Sequence, residues 1–167
     1  MPHAPINGID IYYEVHGTGD AIIFCHEFAG DIRSWDLQVN HFSRNFQVIT
    51  YCARGYSPTS VPEDPKLYTQ DLVIDDLKGL MDFLKIDKAH IVGLSMGGNV
   101  ALNFGIKYPE QAKTLTIAGT GTGSDNPDLF RGRILKFSDG MRSEGMAFMS
   151  DYLKGPQRIQ HQLKDPK

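Results

Sequence analysis

Cys25 and Cys52 are the only cysteines in 167 residues. They lack metal-ligand spacing, and each closes an expected strand. They read as reduced, buried thiols of a cytosolic protein, not as a disulfide framework. Neither sign of charge is in marked excess. Seventeen Lys and Arg stand against twenty Asp and Glu, for a net charge of −3, and the two signs are scattered. That argues against a nucleic-acid surface or a basic membrane helix. No apolar run approaches the roughly 18 residues of a membrane span. The opening Met1-Pro2-His3-Ala4-Pro5 has no basic start followed by an apolar stretch, so no secretory signal is visible. No His, Cys, Asp and Glu set has metal spacing, and no cofactor is expected. The expectation is a cytoplasmic protein without nucleic-acid or membrane partners.

What the chain does have is ordinary globular material. Apolar residues make up 41% and charged residues 22%, enough for one domain with a sizeable core. Residues 6–15 carry a turn at Asn7-Gly8 and then alternate, as in a hairpin. Ala21 to Cys25 is a continuous apolar run, expected of a parallel strand buried on both faces. A helix is expected over 31–42 with Asp31 as N-cap, although Trp35, Leu37, Val39 and Phe42 make no clean stripe. Phe46 to Tyr51 reads as a strand. Residues 54–62 form a loop full of turn residues. The periodicity predicts a helix from Thr69 to Leu84, with Val73, Leu77, Leu80 and Leu84 on one face. Further strands are expected at Ile91-Val92 and over 114–118, with a helix presenting Val100, Ala101, Phe104 and Tyr108 between them. Alternating strands and helices imply a three-layer, doubly wound, mostly parallel α/β sheet, with ligands bound beyond the carboxyl ends of its strands.

At that edge stands Gly93-Leu94-Ser95-Met96-Gly97-Gly98, between a strand and a helix. G-x-S-x-G in this setting lifts a serine hydroxyl clear of the sheet on a strained turn. Glycine two positions before and after leaves room for the tight crossing. The free amides and positive dipole end of the following helix face any charge that builds there.

Together with His26-Glu27-Phe28-Ala29-Gly30 and Ala53-Arg54-Gly55-Tyr56-Ser57-Pro58, this pattern resembles the α/β-hydrolase fold family over about residues 6–120. The resemblance implies Ser95 as nucleophile. It also implies an oxyanion hole made by the backbone amides of Phe28 and Met96, supported by His26, Glu27, Gly30, Gly93 and Gly97. Glu27 stands where the family often has glycine. It either orients the loop, binds a polar group of the substrate, or is a solvated surface residue. Cys52 stands where Asp or Asn is common. A serine at 95 argues against relatives with a carboxylate nucleophile, such as dehalogenases and epoxide hydrolases.

In the family the acid and then the histidine follow the serine in the chain. Here His161 is the sole histidine after Ser95, and its surroundings read as a solvent-facing helix. Asp125 and Asp128 are weak candidates for the acid. The acid and base are therefore expected beyond Lys167. Residues 1–124 read as an incomplete hydrolase core, and 125–167 as the start of a helical cap in which Phe148, Met149, Tyr152 and Leu153 share a face near Met141 and Met146. The chain is expected to be an N-terminal piece, the alternative being completion by a partner or a swapped copy in a homo-oligomer. The glycine-rich stretch 119–124 fails the dinucleotide pattern, because residue 124 is Ser and Pro127 follows; it reads as a hinge. The expected function is hydrolysis of a small ester, lactone or related carbonyl compound with an apolar acyl or ring portion, through an acyl-enzyme on Ser95. The alternative is a non-catalytic small-molecule binder or inactive fragment.

Overall fold

A computed structural model describes residues 2–121 and 125–154, apart from the side chains of residues 152 and 153. They form two compact units, Met1–Gly121 and Thr122–Lys167.

The first unit begins with a hairpin. Asn7 and Gly8 both take positive φ, 47° and 78°, the geometry an Asn-Gly turn favours. It joins β1 (His3–Ile6) to β2 (Ile9–His16), with Ile6 opposite Ile9. The other strands are β3 (Asp20–Cys25), β4 (Phe46–Tyr51), β5 (Ala89–Leu94) and β6 (Ala112–Ala118). The sheet order is β1-β2-β4-β3-β5-β6. β3 to β6 run parallel and β1 and β2 antiparallel, so the sheet is mixed.

Strand alternation divides the apolar runs between two cores. Ile23, Cys25, Ile49 and Ile91 pack with α2 (Gln70–Phe83) and α3 (Met96–Lys107) on one face. Ile22, Phe24 and Val48 meet Trp35 on the other. Burial pushes the Cys25 thiol up to about 12, and both cysteines are free and buried.

Two helix expectations need correction. Residues 31–42 are not one helix. Asp31 caps a single 3-10 turn, Ile32–Trp35, accepting the Arg33 amide at 2.8 Å, and α1 (Asp36–Phe42) follows. The stripe looked broken because of Leu37, which is 80% exposed. Trp35, Val39 and Phe42, spaced four and three apart, share the buried side. On α2 the inward face is Ile74, Leu77, Leu80 and Met81, with Val73 and Leu84 at its margin. Thr69 caps this helix through the Leu72 amide.

The second face is only half covered. Over β5 and β6 it opens as a cavity of about 520 Å³ lined by Phe24, Trp35, Val92, Leu94 and Thr116 among others. β6 is exposed along nearly its whole length. Among the described residues, no strand pairs with its outer edge.

The second unit holds two helices, α4 (Pro127–Glu144) and α5 (Met146–Lys154). Asn126 caps α4 by accepting the Leu129 amide at 3.0 Å, with Pro127 in the first turn. Gly145, at φ 61°, separates the helices. Phe148 packs against Phe137, ring centroids 5.4 Å apart, over Gly140. Met149 is buried, Met141 half-buried and Met146 exposed. The expectations for residues 122–124, the side chains of Tyr152 and Leu153, and His161 lie outside the described residues.

Candidate active site

β5 delivers the chain to Ser95, which takes φ 53° and ψ −111°. A left-handed conformation in a residue with a Cβ costs on the order of 1–2 kcal/mol and persists only where its surroundings enforce it. Here they do. The Ser95 amide donates to the Ala118 carbonyl of β6 at 2.8 Å, and the Ser95 carbonyl accepts the Asn99 amide at 3.1 Å. The residue is exposed. It precedes α3 without capping it through its side chain. Among the described residues, no side chain hydrogen-bonds to its hydroxyl.

The flanking glycines explain the crossing. A Cβ on Gly93 would lie 2.0 Å from the Gly97 carbonyl oxygen, and one on Gly97 would lie 2.0 Å from the carbonyl oxygen of Cys25. The start of α3 therefore lies directly on the end of β3. This contact sets the first turn of α3 against the backbone of Cys25 and His26, where the 26–30 loop begins. Met96 opens α3, where the first amides have no intrahelical acceptor.

Residues 27–30 form a tight turn, the Gly30 amide donating to the Glu27 carbonyl at 3.1 Å, with Ala29 at φ 62°. Phe28 stands at its tip, 54% exposed. His26 anchors it from below. Its Nε2 lies 3.0 Å from the Ala53 amide nitrogen. That amide can only donate, so Nε2 is the acceptor. Nδ1 therefore carries the proton and donates to the Glu27 carbonyl at 2.8 Å. Burial lowers the His26 pKa, the Glu27 carbonyl offsetting only part of the effect, so the ring is held neutral. With both nitrogens engaged, His26 is not placed as a base for Ser95.

Glu27 does not stand free in solvent. Its Oε1 accepts the Ser34 hydroxyl at 2.9 Å, and its Oε2 is shielded from water. The carboxylate occupies the space that a Cβ on Gly30 would need, 2.5 Å from that position. Of the readings open for Glu27, the geometry favours orienting the loop.

Two residues escaped sequence reasoning. Asp76, on the buried face of α2, pairs with Arg54 at 2.8 and 2.7 Å, both side chains being almost fully buried. Asn7 also donates to Asp76 at 3.0 Å. Loop 52–60 is thereby tied to α2 and the hairpin turn. The available signal was an acid among Ile74, Leu77 and Leu80. The second residue is Tyr56. Its ring stands edge-on to His26 with centroids 4.7 Å apart, and its hydroxyl lies 3.5 Å from Met96 Sδ.

Asp125 lies in the bend before α4, and Asp128 lies in its first turn. Among the described residues, no cluster could hold a metal ion, and no helix is long and apolar enough to cross a membrane.

These features define a class. Residues 20–144 match the family model described as alpha/beta hydrolase fold, and the chain belongs to that family. In structure it is similar to the enol-lactonase from Burkholderia xenovorans LB400, with a TM-score of 0.82 and 27% identity over 99% of this chain and 63% of that one. In sequence it is 33% identical to a 2-hydroxy-6-oxo-6-phenylhexa-2,4-dienoate hydrolase of Burkholderia cepacia, over 70% of this chain and 42% of that protein. It is 32% identical to epoxide hydrolase 3 of Mus musculus, over 71% of this chain and 33% of that protein. The chain thus spans well under half the length of the curated relatives it matches.

Proposed function

We propose that Ser95 is the nucleophile of a hydrolase acting on a small ester, lactone or related carbonyl compound. The observation that carries this reading is an exposed Ser95 at positive φ, at the head of an α3 whose first turn packs on the Cys25–His26 backbone, immediately before the 27–30 turn. The hydroxyl attacks the carbonyl carbon. The amides of Met96 and Phe28 receive the charge that develops on oxygen, the largest contribution in acyl transfer of this kind. A base outside residues 1–167, oriented by an acid also outside them, takes the serine proton and hands it to the departing alcohol oxygen as the acyl C–O bond breaks, leaving an acyl-enzyme on Ser95. The same base then activates the water that releases the acid product. Residues 125–167 begin a cap, whose methionines suit an apolar acyl or ring portion of the substrate. No metal or organic cofactor takes part. The enol-lactonase and dienoate hydrolase likenesses support carbonyl chemistry. The epoxide hydrolase likeness supports the shared scaffold, with serine rather than a carboxylate at the reacting position.

A second reading, a binder without turnover, is favoured by one observation: no described residue is bonded to the Ser95 hydroxyl, and His26 is fully engaged. Hydrolysis of p-nitrophenyl esters and simple lactones by the intact protein separates the two. The enzyme reading expects turnover that falls roughly a thousandfold or more in Ser95→Ala. Turnover equal in both proteins, or none in a folded protein that still binds the compounds, supports the binder.

A further inference from the structure

The described site has two halves carried by separate segments: Phe28 on the 27–30 turn and Met96 on the first turn of α3. Both must stay about 3 Å from one oxygen to act together. Tyr56 reaches both. Its backbone is fixed at each end, the Tyr56 amide donating to the Ala53 carbonyl at 3.0 Å and the Thr59 amide donating to the Tyr56 carbonyl at 2.9 Å. Next to it, Arg54 is held by Asp76 at 2.7 and 2.8 Å. Gly55, at φ 85°, lies against the Tyr68 ring, where a Cβ would come within 2.6 Å of it. From this rigid base the Tyr56 ring packs edge-on against His26, the anchor of the turn. Its hydroxyl donates to Met96 Sδ at 3.5 Å.

Burial raises the phenol's pKa, with the Glu27 carboxylate adding to the effect. The phenol therefore keeps its proton across the physiological range, available to the sulfur.

We propose that Tyr56 is a positioning residue that clamps the two halves of the oxyanion hole together, its ring seated on His26, the anchor of the turn, and its hydroxyl on the Met96 side chain. This rests on the reading of Ser95 as nucleophile. The role follows from contact alone: the ring touches the histidine that holds the Glu27 carbonyl, next to one donor, and the hydroxyl touches the side chain of the other. Movement of either amide by half an ångström weakens charge stabilisation in the transition state and leaves ground-state binding nearly unchanged.

The test uses Tyr56→Phe, which keeps the ring on His26 and removes only the hydroxyl, and Tyr56→Leu, which removes both contacts. In Tyr56→Leu, amide hydrogen exchange followed by NMR is expected to quicken about tenfold at Gly30, whose amide closes the turn, with Ile23, Ile49 and Ile91 unchanged. For Tyr56→Phe in the intact protein, the maximal rate of fluorophosphonate labelling at Ser95 is expected to fall about tenfold at constant half-saturating probe concentration. A merely structural role would lower the fraction of protein that labels, not the rate of what does. Met96→Leu is expected to reproduce part of the rate loss, and the two losses not to add. Unchanged exchange at Gly30 in Tyr56→Leu overturns the proposal, whether or not Ser95 labels. Quickened exchange with an unchanged labelling rate also overturns it. Failure of the unsubstituted, folded protein to label defeats the Ser95 reading and with it the catalytic role given to Tyr56.

Discussion

Gly93 and Gly97 interlock: a Cβ on the first would meet the carbonyl oxygen of the second at 2.0 Å. This backbone-on-backbone contact forces the chain to turn at Ser95, the single residue between β5 and α3. Ser95 sits in the turn and takes the strain. Gly93→Ala or Gly97→Ala must push apart backbone that has nowhere to go. Each is expected to cost about 2–3 kcal/mol or more, lowering the melting temperature by roughly 5–10 °C. Thermal unfolding followed by circular dichroism checks this, and a shift under 2 °C would contradict the geometry.

The Arg54–Asp76 pair makes a prediction about loop 52–60. Removing one partner strands a charge in the core and costs about 3–5 kcal/mol. Replacing both with apolar residues removes the stranded charge. Arg54→Met is therefore expected to be strongly destabilised in urea titration, and Arg54→Met with Asp76→Leu to recover most of the loss. Additive losses would show that the pair does not act as a unit.

His26 gives the fold a pH dependence of defined sign. Its folded pKa lies below its ordinary 6.5, chiefly because burial disfavours the charged ring. The unfolded chain therefore binds the proton first. The stability from neutral His26 is fully present above pH 6.5 and is lost as pH falls from there through the folded value. Protonation would also replace the Nε2 lone pair that the Ala53 amide needs. Urea unfolding at pH 7.5 and 5 is expected to show a steeper loss for the unsubstituted protein than for His26→Gln, whose amide can accept from Ala53 without titrating. Equal slopes would contradict the assignment of Nε2 as acceptor.

Much of this was legible in the chain because it is local. Asn7-Gly8 fixes a hairpin through its own φ preferences. Ala21 to Cys25 is apolar on both sides because both sides are covered. Gly93 and Gly97 frame Ser95 at a spacing only a tight crossing requires. What the residues did not disclose depends on distant partners. Asp76 looks like an error on an apolar helix until Arg54 arrives from the loop after β4. Tyr56 looks like one more turn residue until His26 and Met96 close around it. Leu37 hid the face shared by Trp35, Val39 and Phe42, because a single exposed leucine spoils a stripe without altering the packing. Glu27, among solvated readings by type, is drawn inward by Ser34 and by the space Gly30 leaves.

The central claim is that Ser95 reacts. A fluorophosphonate probe applied to the intact, folded protein, with the adduct located by peptide mass spectrometry, tests it most directly. One adduct is expected, on the peptide bearing Ser95, and none in Ser95→Ala. An adduct that survives that substitution, or a folded protein that never labels, would contradict it.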